Sequence, residues 1–196
     1  MRVVLVAKQF PDINDNHQAF ILRQQMFFVA SAAPGTRVNV SPRSIASLRL
    51  LGPAKVAYLD RTGSGNETAA HIRAGGRVTL MFCAFEGAPS ILRLYGRGAV
   101  HHRRGHEFAR LLADQFGGEA PLGTRQIVTL DVELVQTSCG FGVPFFDYQG
   151  ERTAMDKWAD ARGEAGIDAY WREKNVRSID GLPTGLFEDE ETPVTA

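Results

Sequence analysis

Apolar residues recur with a period of two over most of this chain, and only in short stretches with a period near 3.6. Residues 77–85 read as a strand with Val78, Leu80, Phe82 and Ala84 on one face. Residues 90–100 repeat the pattern. Leu92, Leu94 and Gly96 share one face, and Ile91, Arg93, Tyr95 and Arg97 the other. Residues 126–135 alternate again, with Val128, Leu130, Val132 and Leu134 predicted to face the core. Two further pairs of strand-like runs are joined by turn dipeptides. Residues 27–33 and 37–42 flank Pro34-Gly35, and residues 48–51 and 55–59 flank Gly52-Pro53. Helical spacing is confined to residues 15–25 with Asp15 as N-cap, 69–74, 107–116 and 151–174. Gly163 and Gly166 are predicted to divide the last of these. Hairpin-linked strands with few helices between them do not make a parallel sheet. They predict a mainly β fold, an antiparallel barrel with peripheral helices.

Composition narrows the function class. The 196 residues suffice for one domain, read as residues 8–186 with a C-terminal helical segment. Residues 187–196 read as a disordered acidic tail, and residues 1–7 as a short N-terminal segment rather than a signal peptide, because Lys8 interrupts the apolar run. Lysines and arginines number 22 and so do the acids, which argues against nucleic acid or a charged membrane as partner. No apolar run is long enough to span a bilayer. The two cysteines, Cys83 and Cys139, have no metal-like spacing and fit a reducing, cytoplasmic setting.

The chemistry concentrates at Asp60-Arg61-Thr62-Gly63-Ser64-Gly65-Asn66-Glu67-Thr68, a Gly/Ser/Thr-rich turn between a predicted strand and a predicted helix. Free backbone amides, hydroxyls and a helix start suit a phosphate. The same spacing makes Ser64 and Glu67 an S-x-x-E capping box, and both readings remain open at this level. Asn39, Ser41 and Arg43 alternate at a strand end, so their side chains share a face, and Arg43 offers a charged fork that suits phosphate. His101, His102 and His106 cluster, but Arg103 and Arg104 between them disfavour a metal. Residues 138–144, Ser-Cys-Gly-Phe-Gly-Val-Pro, read equally as a pocket wall and as a tight corner. No nucleophilic triad or G-x-S-x-G elbow can be picked out.

Taken together, several segments resemble the pyridoxamine 5′-phosphate oxidase-like flavin-binding split-barrel family, in an uncharacterised subgroup. They are residues 26–30, 38–43, 56–60, 62–71, 79–87, 94–98, 138–144 and 174–183. The resemblance implies an antiparallel six-stranded split barrel, a homodimer with FMN at its interface, and redox chemistry on a small organic molecule. F420 or haem is the alternative cofactor, and a non-catalytic flavin- or haem-binding protein or an F420-dependent reductase the alternative role. It implies cofactor contacts from Asn39, Val40, Ser41 and Arg43 on one strand. Further contacts are implied from Tyr58, Leu59, Asp60, Thr62, Asn66, Glu67 and Thr68 along the next strand and its turn. Arg93, or Arg97 beside it on the same polar strand face, is the expected cation near the flavin ring. The chain departs from the family where oxidases carry a Ser-Arg-Lys phosphate clamp: Glu67-Thr68 stands in place of Arg-Lys. That departure removes two cations and argues against pyridoxamine phosphate as substrate.

Overall fold

The computed structural model describes residues 7–188. The expected N-terminal segment and acidic tail lie outside those residues, apart from Ala7, Phe187 and Glu188. In chain order the elements are β1 (Lys8–Phe10), α1 (Asp15–Leu22), β2 (Met26–Ala32), β3 (Asn39–Ser44), β4 (Leu48–Gly52) and β5 (Lys55–Arg61). They continue with α2 (Glu67–Arg73), β6 (Arg77–Cys83), β7 (Ile91–His102), α3 (His106–Phe116), β8 (Thr124–Ser138) and α4 (Ala154–Lys174). A single 3-10 turn, Ile45–Ser47, joins β3 to β4.

The strands form one curled antiparallel sheet in the order β3-β2-β6-β7-β8-β5-β4. This is the split-barrel architecture the sequence predicted. It has eight strands where six were expected, and β1 is the one with no counterpart among the predicted runs. β8 explains the split. One of its edges pairs with β7 along nearly its full length. The other edge is shared: β5 takes residues 124–131 and β1 takes residues 135–137.

Between Tyr95–Leu134 and Gly96–Val132 the β7–β8 register slips by one residue, leaving Glu133 as the extra residue of a bulge. The inward phase of β8 changes there. Val128, Leu130 and Val132 are buried as predicted, but Leu134 is only half-buried and Val135 takes the core position. Gly96 makes the close approach feasible, since a Cβ there would lie 1.9 Å from the Asp131 carbonyl oxygen.

The barrel interior is filled by Phe27, Val56, Tyr58, Leu80, Phe82, Leu92, Leu94, Val128 and Leu130. Phe27 stacks on Phe82 and meets Tyr58 edge-on, each at 5.7 Å between centroids. β5 is buried on both faces. Val56 and Tyr58 point into the barrel, whereas Ala57 and Leu59 pack with Ile127 under Phe108, Leu111 and Phe116 of α3. A third cluster joins Ala159, Ile167 and Trp171 of α4 to Leu186, and so packs the C-terminal segment against α4.

Two helix boundaries differ from expectation. The N-cap of α1 is Asn14, not Asp15. Its side-chain oxygen accepts from the His17 amide at 3.0 Å, and its own amide donates to His17 Nδ1 at 3.2 Å. In α4 only Gly163 breaks the helix, at φ 62°, where a side chain would be strained; Gly166 remains helical.

Candidate functional site

A cavity of about 610 Å³ opens where β3, the loop after β5 and the segment after α4 converge. That size falls in the range of roughly 300–1,000 Å³ usual for small-molecule and cofactor sites. Asn39, Ser41 and Arg43 face it from alternate positions of β3, as the period of two requires. Thr62, Gly63, Ser64, Gly65, Glu67 and Thr68 form the opposite wall. Arg125 of β8 lies beneath, and Met155 and Ile179 stand at the rim.

A buried charge cluster supports the two arginines. Asp60, 2 % exposed, accepts from Arg43 Nη2 at 2.6 Å, Arg125 Nε at 3.0 Å and Gln126 Nε2 at 2.7 Å. Burial alone would raise the Asp60 pKa, but Arg125 and Arg43 hold it below the ordinary carboxylate value. Burial works against the Arg43 charge, yet Asp60 more than restores it. Tyr58 is pushed upward first by burial and then by Asp60. Arg43 keeps one unspent donor: its Nε is buried with no partner among the described residues.

Arg125 also shapes the Gly-rich loop. Its Nη1 donates to the Gly65 carbonyl at 2.8 Å and to Asn175 Oδ1 at 2.6 Å, while Asn175 Nδ2 donates to the Gly63 carbonyl at 3.1 Å. The loop carbonyls are thus engaged from behind. The amides of Gly63, Ser64 and Gly65 find no acceptor among the described residues, so this wall offers free N–H donors.

The capping-box reading of Ser64 and Glu67 is overturned. The helix begins at Glu67, its N-cap is Asn66, and no side chain caps it. Glu67 reaches instead across to the C-terminal segment, where both carboxylate oxygens accept the Ile179 amide at 3.1 Å. An ion pair between Arg37 and Asp180 ties the same segment to the start of β3. α2 is only seven residues long, so the donor groups at this wall are the loop amides and arginines rather than a helix end.

Of the residues singled out from sequence, the structure brings Asn39, Ser41, Arg43, Thr62, Glu67 and Thr68 to one cavity. The Thr62 hydroxyl is already used, donating to the Gly123 carbonyl and accepting from Trp171 Nε1, both at 2.8 Å. Asp60 stands behind Arg43, and Asn66, 1 % exposed, is bonded to Gln126. Tyr58 belongs to the barrel core, Leu59 to the cluster under α3, and Val40 to the exposed face of β3. Arg93 is not among the cavity's lining residues: it lies on β7, where Nη1 donates to Ser138 Oγ at 3.1 Å. Arg97 pairs with Glu133 at 3.3 Å.

Sequence reasoning missed Arg125, Asn175 and Ile179. No local signal marked the first of these: Arg125 stands between Thr124 and Gln126, just outside the run predicted as a strand, and only the fold buries it beside a carboxylate.

The model for "Pyridoxamine 5′-phosphate oxidase" matches residues 13–139. A curated relative, the pyridoxamine 5′-phosphate oxidase family protein ustO of Aspergillus flavus, is 38% identical over 192 residues, covering 89% of this chain and 76% of that protein. The chain belongs to the pyridoxamine 5′-phosphate oxidase family. One solved structure supports the fold, and another is similar to the chain. A HupZ variant from Group A Streptococcus matches with TM-score 0.50 at 18% identity, covering 64% of this chain and 98% of that one. HutZ, described as a haem storage protein from Vibrio cholerae, matches with TM-score 0.46 at 14% identity, covering 66% of this chain and 97% of that one. Members of this family commonly bind flavin.

Proposed function

We propose that this family member is an oxidoreductase that holds FMN in the cavity and acts on a small organic molecule. The observation that carries the reading is the pair of unspent donor groups on residues lining one space. Arg43, which keeps a buried, unpartnered Nε, lines one side, and the Gly63–Gly65 segment, whose amides are free, lines the other. An acceptor oxygen of a phosphate would satisfy both, so the residues present fit the group. Bound FMN would supply hydride transfer to or from the substrate.

The chain's own residues have defined tasks. Asp60 holds the Arg43 guanidinium in place and charged. Asn39 and Ser41 present an ordered polar edge, linked by Ser41 Oγ donating to Asn39 Oδ1 at 3.3 Å, to the sugar-like chain of the cofactor. Met155 and Ile179 shield the rim from water. Arginines and carboxylates nearly balance around the cavity, so hydrogen bonds carry more of the affinity than net charge does. The relative ustO shares the family, and nothing in the cavity singles out pyridoxamine phosphate as substrate.

A homodimer belongs to the same reading. β3 is an edge strand of the sheet and exposes Val40, with Val38 exposed just before it, while Phe141, Phe145 and Phe146 stand exposed on the segment after β8. Exposed apolar side chains of this kind suit burial against a second copy. No helix among the described residues is long and apolar enough to cross a membrane.

The test is titration of the apoprotein with FMN, F420 and haem in parallel, followed by spectroscopy. FMN should bind saturably at micromolar concentration. Arg43→Ala should weaken that binding about ten- to a hundredfold, the size of one charge-assisted contact. Arg103→Ala, which lines a different cavity and pairs with Glu164, should leave it unchanged. Absence of saturable FMN binding removes the reading. Bleaching of bound flavin by a reductant substrate would separate an enzyme from a carrier.

A further inference from the structure

The polar wall of the cavity continues inward to a histidine that touches nothing in it. Thr68 and His71 lie about one turn apart on α2, 6 % and 1 % exposed, and both contact Ser31 of β2, 3 % exposed. Ser31 Oγ lies 2.9 Å from His71 Nδ1 and donates to Thr68 Oγ1 at 3.3 Å. Asn39 Nδ2 donates to the same Thr68 oxygen at 3.2 Å.

The unpartnered ring nitrogen sets the direction of this chain. His71 Nε2 is buried with no partner among the described residues. A hydrogen there would be an orphaned buried N–H, which is rarer than an under-satisfied acceptor, so the hydrogen sits on Nδ1 and the ring donates to Ser31. Ser31 then spends its single hydroxyl hydrogen on Thr68. Thr68 Oγ1 accepts from Ser31 and from Asn39, and its own hydrogen is left to donate.

We propose that His71 is a positioning residue: acting through Ser31, it keeps the Thr68 hydroxyl hydrogen directed into the cavity. Thr68 then serves as a donor to an acceptor oxygen of the bound molecule, whether phosphate, carboxylate or carbonyl. With the chain reversed, Thr68 would offer the cavity only a lone pair and would repel such an oxygen. The polarity of a buried relay, not a charge, thus selects the chemistry of the ligand at this wall. Only the choice of FMN as probe rests on the flavin reading.

The test has two arms. Nitrogen-15 NMR of the cofactor-free protein reads the His71 tautomer directly. Hydrogen on Nδ1 is expected, and hydrogen on Nε2 overturns the proposal. The second arm measures FMN affinity. Thr68→Val should weaken binding about tenfold and His71→Phe about three- to tenfold. In the Thr68→Val background, His71→Phe should have an effect below about twofold, because its influence passes through the hydroxyl already removed. His71→Asn, whose amide nitrogen takes the Nδ1 position, should retain most of the wild-type affinity. Independent, multiplicative effects of the two substitutions would overturn the relay. Should His71→Phe fail to fold, Ser31→Ala replaces it in the cycle with the same expected coupling. If the wild-type protein shows no saturable FMN binding, the flavin reading falls, and the tautomer still decides the relay.

Discussion

Replacing Asp60 by asparagine removes one buried negative charge from between two arginines and turns one of its two accepting oxygens into a donor. Arg43 and Arg125 contact it at 2.6 and 3.0 Å, and the Asp60 and Arg125 side chains are 2 % and 3 % exposed. Each attraction is about 4 kcal/mol for charge centres near 4 Å at an effective dielectric of 20. Part of that sum is returned, because an amide avoids the penalty of several kcal/mol for burying a carboxylate. The expected net loss is about 3–5 kcal/mol, as found when one partner of a buried ion pair is removed. In a chain of this length that is about 6–20 °C in Tm.

Urea unfolding at pH 7 measures the loss, and its pH dependence identifies the cause. Arg125 and Arg43 overcome the effect of burial and hold the Asp60 pKa down. The stability it contributes is therefore complete above the unfolded carboxylate value of about 3.9 and is lost as pH falls through the lower folded value. Wild-type protein should lose stability on acidification more steeply than Asp60→Asn, which lacks that titration. An anionic ligand would also replace the missing charge, so saturating FMN should raise Tm more in the variant than in the wild type. A loss below about 1 kcal/mol, the value of an exposed ion pair, would refute the reasoning.

Three further outcomes are expected. Gly96→Ala should destabilise by about 1–3 kcal/mol or more, because the new methyl meets a backbone carbonyl; an unchanged urea midpoint would show that the bulge relaxes freely. Glu67→Ala should accelerate hydrogen exchange at the Ile179 amide, while Glu67→Gln, which keeps an acceptor, should preserve its protection; equal exchange in all three proteins would argue that the 3.1 Å contact does not persist in solution. Light scattering at micromolar concentration should give a dimeric mass, and a monomeric mass would remove the role assigned to the exposed β3 and Phe141–Phe146 patch.

Strand periodicity carried most of the fold, since each alternation reports its own buried face. Val78, Leu80 and Phe82, and then Leu92 and Leu94, are buried as their spacing required. The pattern misled at Leu134 because a bulge is a property of two strands, and the residue that permits it, Gly96, lies on the partner. β1 escaped notice for a similar reason: three residues have no period, and only the exposed edge of β8 makes them a strand. At the site, the alternation of Asn39, Ser41 and Arg43 was legible because those residues are near in sequence. The role of Glu67 was not. A local capping partner lay three residues away, yet its actual partner is the Ile179 amide, separated from it by 112 positions. Arg125 and Asp60, 65 positions apart, each lay just outside a predicted strand, and only the fold could pair them.

The long reach of these contacts has a consequence for the order of events during synthesis. The Gly-rich loop leaves the ribosome well before its supports, since Asn175 follows Gly63 by 112 residues. A nascent chain that already holds β2 to β6 possesses the loop sequence and Arg43 but lacks Arg125, Asn175 and the rim at Ile179. Its loop carbonyls have nothing to turn toward, and its amides have no fixed direction. Any ligand of this cavity is therefore captured late, by a finished chain, and its supply cannot guide early folding.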